Sequence, residues 1–175
     1  KHQPYLIQEQ RIESKYKFFF RNSSHSNMSQ TKLLVMRFSA MGDVAMTVPV
    51  IHSLATQYPD LQITMLTRKH LVPLFQWMPE NVKCMGIDLK NYDGIGGLNR
   101  LYAELKPLDF DAVADIHNVL RTKFLRMRFR LSGKQVAVID KGRSEKKALI
   151  GHGMDVEALR PMTERYREVF ARLGY

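Results

Sequence analysis

Short apolar runs alternate with amphipathic segments along most of the chain. Five runs have the length and composition of buried strands, and five segments show the apolar spacing of a helix. The runs cover residues 33–38, 61–67, 82–89, 111–116 and 135–139. The helical segments cover residues 44–58, 71–77, 98–106, 119–131 and 161–173. Because strands and helices alternate, we predict an α/β fold with a doubly wound, Rossmann-like parallel sheet.

Proline and glycine interrupt this pattern at two places. Pro49 lies inside the first predicted helix, and we expect it to bend that helix or to mark the end of its first turns. Three glycines fall within residues 91–97, and we predict a loop there.

The pattern divides the chain into four parts. Residues 1–27 begin with Lys and hold no apolar run long enough for a signal peptide. We predict that they are a non-core extension or a disordered tail before a natural start at Met28. Residues 28–140 form the Rossmann-like domain. Residues 141–160 are the least regular stretch, which predicts a loop or linker, and residues 161–175 form an amphipathic helix.

The chain is strongly basic, with 27 Lys and Arg against 17 Asp and Glu and a net charge of +10. Residues 121–147 hold ten basic and two acidic side chains, and residues 1–27 hold five basic and two acidic ones. This balance predicts an anionic partner: nucleic acid, a lipid surface or a phosphorylated small molecule. The sequence contains no known nucleic-acid motif and no interleaved aromatic residues, so no nucleic acid is expected.

Composition and residue spacing exclude several other classes of protein. A single cysteine, Cys84, excludes a disulfide framework and a zinc site built from cysteines. No second histidine and no carboxylate pair has the spacing of metal ligands, so no metal is predicted. No apolar run reaches the roughly 18 residues that a membrane-spanning helix needs.

The turn after the first strand is the most informative motif. It reads Ser-Ala-Met-Gly-Asp, and ligands of doubly wound sheets bind at such strand ends. Gly42 alone does not supply the three glycines of a dinucleotide fingerprint, and no Gly-Lys-Ser/Thr follows for a P-loop. Asp43, near the start of a helix, is suited to act as a general base toward a sugar hydroxyl. The alternative is that Asp43 caps the helix.

Basic residues follow the second strand and the fourth strand. Arg68 and Lys69 predict an anion site, with ordinary solvated loop charges as the alternative. His117 is a candidate for substrate binding, with a structural or merely exposed histidine as the alternative. The helix over 119–131 carries a basic side on which we find no acidic residue, which favours attraction to phosphates.

The segment LLVMRFSAMGDVAMTVPVIHSL resembles the N-terminal half of the heptosyltransferases, glycosyltransferase family 9. That family opens with a strand, a Ser-x-x-Gly-Asp turn and a helix with Thr-x-Pro. The matching residues here are Ser39, Gly42, Asp43, Thr47 and Pro49. Three later segments are also similar to the family: YPDLQITMLTRKH, FDAVADIHNVLRTKFL and ERYREVFARLGY. The resemblance therefore covers about residues 31–175.

The resemblance implies the N-terminal domain of a GT-B glycosyltransferase, an architecture of two Rossmann-like domains. This domain would bind the acceptor, the phosphorylated Kdo–lipid A inner core of lipopolysaccharide. It would work in the cytoplasm at the inner face of the bacterial inner membrane, in peripheral contact with that anionic surface. The other domain would bind the donor ADP-heptose, and transfer would invert the anomeric centre without any further cofactor. Because the family's enzymes are longer, the resemblance implies a missing donor domain after residues 161–175 and an inactive fragment.

The resemblance also implies functional roles for individual residues. Asp43 matches the family's proposed general base, and Ser39 and Gly42 would shape its turn. The remaining positions would contact the acceptor, mainly its phosphates: Arg68, Lys69, His117, Arg121 and Lys123.

Two other interpretations stay open. A non-enzymatic α/β module could dock its basic face on anionic lipid or nucleic acid, but it would give the Ser-x-x-Gly-Asp turn no task. A GT-B enzyme with another acceptor would keep the turn and change the substrate.

Overall fold

The computed structural model describes residues 30–142, residue 145 and residues 159–175. The predicted tail over 1–27 and most of the predicted linker over 141–160 lie outside these residues. Among the described residues, no helix has the length and apolar character needed to cross a membrane.

The described part of the chain contains a five-stranded sheet in which every neighbouring pair is parallel. The strands lie in the order β3-β2-β1-β4-β5. Their bounds are β1 Lys32–Met36, β2 Gln62–Arg68, β3 Val82–Ile87, β4 Ala112–Asp115 and β5 Gln135–Val138. This topology confirms the predicted doubly wound, Rossmann-like sheet. Because β1 lies in the centre, the turns after β1 and its neighbours meet at one edge of the sheet.

Helices connect these strands and cover both faces of the sheet. The α-helices are α1 Met41–Ala45, α2 Thr47–Gln57, α3 Gly94–Leu105, α4 Leu120–Leu131 and α5 Met162–Ala171. Short 3₁₀ helices cover Lys69–Phe75, Leu89–Tyr92 and Lys106–Leu108.

Alternate side chains of the central strand β1 pack into two separate hydrophobic cores, one on each face of the sheet. Leu33 and Val35 are fully buried beneath α1, α2 and α5, whereas Leu34 and Met36 are fully buried beneath α3 and α4. Side chains of a strand alternate between its faces, so a strand covered on both sides must be apolar throughout. The continuous apolar run over residues 33–36 is therefore typical of a central strand that is covered on both faces.

The first predicted helix is divided in two, as Pro49 suggested. The amide of Met46 donates to the carbonyl of Gly42 and ends α1, and α2 begins at Thr47. The Thr47 hydroxyl donates to the Val44 carbonyl across 2.6 Å, which holds the two helices together at the break. Pro49 lies in the first turn of α2, where its missing N–H removes no helical hydrogen bond.

One local prediction was wrong, and another was correct only in part. The predicted loop over 91–97 is largely helical, since α3 already begins at Gly94. Gly97 lies inside this helix. Its position requires glycine because a Cβ there would lie 2.3 Å from the carbonyl carbon of Tyr92. The predicted helix over 71–77 is a 3₁₀ helix that starts earlier, at Lys69.

Candidate active site

The carboxyl ends of β1 and β4 bring Ser39, Gly42, Asp43 and His117 to one edge of the sheet. β1 and β4 are parallel neighbours, with Met36 paired to Asp115, so the turns that follow them are adjacent. Sequence reasoning placed these four residues in two separate turns, and the strand order brings the turns together.

Asp43 is held by an arginine that the sequence analysis did not single out. Nη2 of Arg37 lies 2.6 Å from Oδ2 of Asp43. The Arg37 side chain is 5% exposed, whereas that of Asp43 is 37% exposed. The ion pair therefore fixes one side of the carboxylate from within the protein and leaves the other side open to solvent. An ionised, oriented and accessible carboxylate is what a general base requires.

The interpretation of Asp43 as a helix cap is wrong. Among the described residues, no side chain caps the start of α1, whose N-cap position is Ala40. Asp43 is the third residue of that helix, and its carboxylate turns back to Arg37. Its place in the first helical turn still favours a negative charge.

Arg37 is itself fixed by contacts on two further sides. Its Nη1 donates to the carbonyl of Ile116 at 2.6 Å, which joins the ends of β1 and β4. Its guanidinium lies 5.6 Å from the ring centroid of Tyr166 on α5, in a cation–π contact. The Tyr166 hydroxyl donates to the backbone carbonyl of Asp43 at 3.3 Å. α5 thus covers the Arg37–Asp43 pair.

His117 is a buried, neutral histidine beside the same turn. Its Nδ1 accepts from the amide of Phe38 at 3.4 Å, so the proton of the neutral ring lies on Nε2. Nε2 lies 3.3 Å from Oγ of Ser39 and donates to it. Burial, and then the positive charges of Arg37 and Lys141, lower the pKa of His117 to about 4. His117 therefore orients Ser39 and carries no charge at neutral pH.

Asp115, at the end of β4, fixes the turn that carries His117. Its Oδ1 accepts from the amides of His117 and Asn118 at 3.1 and 2.7 Å. Its Oδ2 pairs with Nη1 of Arg126 at 2.9 Å, and Asp115 is fully buried. Buried charges of this kind are stable when they are paired and hydrogen-bonded.

A second feature of this edge is an open cavity of about 760 Å³ at the ends of β2 and β3. We call it the basic cavity, and its charged lining residues are Arg68, Lys69, Lys90, Arg121, Asp88 and Asp93. Four basic groups thus face two acidic ones. Nε of Arg68 is buried and has no hydrogen-bond partner within the described ranges. An unsatisfied cationic donor in the wall of a basic cavity is suited to bind an anion.

The structure separates the basic residues that the sequence analysis grouped together. Arg68, Lys69 and Arg121 meet at the basic cavity, although Arg121 lies in the first turn of α4 and far from the other two in sequence. Lys123 is exposed on α4 and does not line this cavity. Three of the four basic residues expected to bind phosphate therefore line the basic cavity, and Lys123 does not.

The helix α4 holds no acidic residue, as the sequence indicates, but α4 and the residues that follow it have acidic partners. Those partners come from other elements: Asp93 pairs with Arg121 at 2.9 Å, Asp115 with Arg126 at 2.9 Å and Asp109 with Lys134 at 2.8 Å. The helix is therefore partly neutralised in the folded protein. Arg143, Lys146 and Lys147, which belong to the same basic stretch of the sequence, lie outside the described residues.

Arg37, Tyr166 and Asp93 are the site residues that sequence reasoning missed. Arg37 had a detectable signal, because a charged residue inside a buried apolar run must find a partner. Tyr166 and Asp93 had none, since their roles depend on how α5 and the start of α3 pack against distant turns.

Comparison with known proteins finds similarity both in sequence and in structure, although no family model matches the chain. The chain is 28% identical over 102 residues to the lipopolysaccharide core heptosyltransferase OpsX of Haemophilus influenzae. The match covers 58% of this chain and 28% of that protein.

Two solved structures have the same fold. A family 9 glycosyl transferase of Veillonella parvula matches with a TM-score of 0.61 and 20% identity, over 86% of this chain and 44% of that one. The E. coli heptosyltransferase WaaC with ADP matches with a TM-score of 0.57 and 18% identity, over 83% of this chain and 48% of that one. The chain spans about half the length, or less, of the proteins it matches. In sequence and fold it is therefore heptosyltransferase-like, similar to about half of a glycosyltransferase family 9 chain.

Proposed function

We propose that this chain is the acceptor-binding half of an inverting GT-B glycosyltransferase, with Asp43 as its general base. The observation that carries the proposal is the Asp43 carboxylate, paired with buried Arg37 on one side and open to solvent on the other. The similarity to a lipopolysaccharide core heptosyltransferase supports heptose as the sugar and the lipopolysaccharide inner core as the acceptor.

In this proposal, the acceptor hydroxyl gives its proton to the Asp43 oxygen that faces solvent. The hydroxyl oxygen forms a bond to the anomeric carbon of the donor sugar on the face opposite the diphosphate. The bond from that carbon to the diphosphate oxygen breaks, and ADP leaves with the electron pair. Attack from the opposite face inverts the anomeric centre.

Arg37 and the His117–Ser39 pair prepare this step without touching the reacting atoms. Arg37 keeps the carboxylate in one orientation from within the protein. The neutral His117 donates to Ser39 and holds the turn that presents Asp43. Preorganised groups of this kind lower the barrier because they need not reorient during the reaction.

The basic cavity would bind the acceptor's phosphate groups. Arg68 and Arg121 offer planar donors that match phosphate oxygens, and Lys69 adds a mobile positive charge. The donor, ADP-heptose, would be held mainly by a second Rossmann-like half. We place the reaction in the cytoplasm, at the inner face of the bacterial inner membrane, where the glycolipid acceptor lies.

Turnover of Asp43→Asn tests the proposal in the protein that carries both halves. The amide keeps the shape of the carboxylate but does not accept a proton, so we expect turnover to fall by about a hundredfold or more. Asp60→Asn, an exposed carboxylate before β2, is the matched control and should keep full turnover. Near-normal turnover of Asp43→Asn, with the native fold verified by circular dichroism, would refute the role of base.

A further inference from the structure

An exposed apolar stripe runs along the outer side of α4. It consists of Leu120, Phe124, Met127 and Leu131, which follow one another at spacings of four, three and four residues. With about 3.6 residues per turn, these side chains share an arc of about 60° and extend over about 16 Å of the helix. Leu120, Met127 and Leu131 are 82%, 50% and 77% exposed, and Phe124 is partly exposed. We call this surface the α4 seam.

The α4 seam is not the side by which α4 packs on its own domain. The buried residues of the helix are Thr122, Leu125 and Phe129, which lie on roughly the opposite side. Leu125 and Phe129 belong to the hydrophobic core beneath α3 and α4. A helix needs one apolar side to pack on a sheet, and α4 has a second one that is exposed over three turns. Such an aligned apolar surface indicates an interaction site.

Basic residues border the α4 seam on both sides. The four seam residues have the spacing of the a and d positions of a heptad repeat. Lys123 and Arg130 then occupy the g positions on one side, and Arg121 and Arg128 occupy the e positions on the other. Among the described residues, neither Lys123 nor Arg130 has an ion-pair partner. The borders of the seam therefore keep a positive charge in the folded protein.

This charge and the narrow width of the seam determine what fits on it. A second copy of α4 would bring basic borders against basic borders, because α4 contains no acidic residue. A helix that lies on a bilayer buries a broad apolar face, whereas a stripe confined to a and d positions is the narrower surface of helix-to-helix packing. An acidic helix would satisfy both the apolar stripe and its basic borders.

We propose that the α4 seam binds an amphipathic helix of a partner protein, with apolar residues at a and d positions and acidic residues at e and g positions. Apolar side chains of the partner would pack between those of the seam, and its carboxylates would pair with the basic borders. The proposal does not depend on the proposed sugar transfer. It is tested without donor or acceptor, so a failure here and a failure of the proposed function are separate results.

The experiment titrates the full chain into two labelled synthetic peptides of three heptads and measures fluorescence anisotropy. Both peptides have leucine at a and d positions, and they carry either glutamate or lysine at all e and g positions. The like charges keep each peptide from pairing with itself. We expect the glutamate peptide to bind at least about tenfold more tightly than the lysine peptide at 0.15 M salt.

Two variants of the chain test the two parts of the seam. Met127→Gln combined with Leu131→Gln should weaken binding of the glutamate peptide by about tenfold or more, because apolar contact is lost. Lys123→Glu combined with Arg130→Glu should reverse the preference, so that the lysine peptide binds more tightly. Trp77→Gln is the matched control, because Trp77 is 85% exposed but lies outside α4, and it should bind like the parent. Circular dichroism verifies that each variant keeps the parent's melting temperature.

Several outcomes would overturn the proposal. The glutamate peptide could fail to bind, or bind no more tightly than the lysine peptide, which would remove the charge complementarity. Equal losses in the glutamine variant of the seam and in Trp77→Gln would mean unspecific apolar adsorption. Sedimentation velocity and phosphatidylglycerol vesicles test the other occupants. A dimer of the chain, or vesicle binding, that disappears in the glutamine variant would assign the seam to a second copy or to a bilayer.

Discussion

Arg37, a buried residue, reaches Asp43 across 2.6 Å and leaves the outer side of that carboxylate open. The two residues are six positions apart, but a strand end, a turn and the start of a helix separate them. The pair therefore forms only when the turn after β1 has its native shape. In the proposed reaction, Arg37 is a positioning residue and Asp43 is the base.

Arg37→Lys should lower kcat by roughly tenfold to a hundredfold with a smaller change in the acceptor KM. Lysine keeps the charge, but its single ammonium does not reproduce the two directed contacts to Asp43 and to the Ile116 carbonyl. Steady-state kinetics of the protein with both halves measures the effect. Arg100→Lys is the control, since Arg100 donates to the exposed carbonyl of Asn91. An unchanged kcat in Arg37→Lys would remove Arg37 from the mechanism.

Arg121 and Lys123 form a matched pair on one helix, with equal charge and different positions relative to the basic cavity. Arg121→Ala should raise the acceptor KM by about tenfold or more, because charge-assisted hydrogen bonds to a phosphate are lost. Lys123→Ala should change it by no more than about twofold at 0.15 M salt. Equal effects of the two variants would show that only the general charge of α4 matters and that the cavity is not the phosphate site.

His117 should make the fold sensitive to mild acid. Its pKa is lowered to about 4 by burial and neighbouring cations, whereas the unfolded chain binds a proton near the usual value of 6.5. The stabilisation is therefore complete above pH 6.5 and is lost as the pH falls toward 4, by roughly 3 kcal/mol in total. Urea unfolding of the parent and of His117→Gln between pH 7 and pH 4 measures it. Parallel pH profiles would contradict a buried neutral His117.

Gly97 and Gly96 give opposite expectations for the same substitution in the same helix. A Cβ at Gly97 would lie 2.3 Å from the Tyr92 carbonyl carbon, so Gly97→Ala should destabilise the fold by about 2 kcal/mol. A Cβ at Gly96 meets nothing within 4 Å among the described residues, so Gly96→Ala should stabilise it by roughly 0.5–1 kcal/mol. Thermal unfolding of both variants checks the sign of each change.

The sheet could be predicted from sequence because each strand is a local apolar run with clear ends. β1 and β2 match runs that are buried on both sides, and such runs need no knowledge of their neighbours. The start of α3 was missed because glycine usually breaks helices, and only the packing of Gly97 on Tyr92 shows why glycine belongs there.

The candidate site was predictable only in part. Asp43 and His117 were found because they stand in turns at strand ends. The Asp93–Arg121 pair joins residues 28 positions apart, and no local pattern relates them. The same holds for the acidic partners of the basic helix, which lie on β4 and in loops. Ion pairs between distant elements depend on strand order and helix packing, which a pattern of apolar residues does not encode.

The hydrogen bond from Tyr166 to the Asp43 carbonyl spans 123 residues of sequence. During synthesis, the helix that covers this turn emerges from the ribosome more than a hundred residues after the turn itself. Until α5 packs, the guanidinium of Arg37 lacks its contact with the Tyr166 ring, and the Asp43 carbonyl lacks its hydrogen bond from the Tyr166 hydroxyl. The turn that carries Asp43 therefore completes its contacts only when α5 has packed against it.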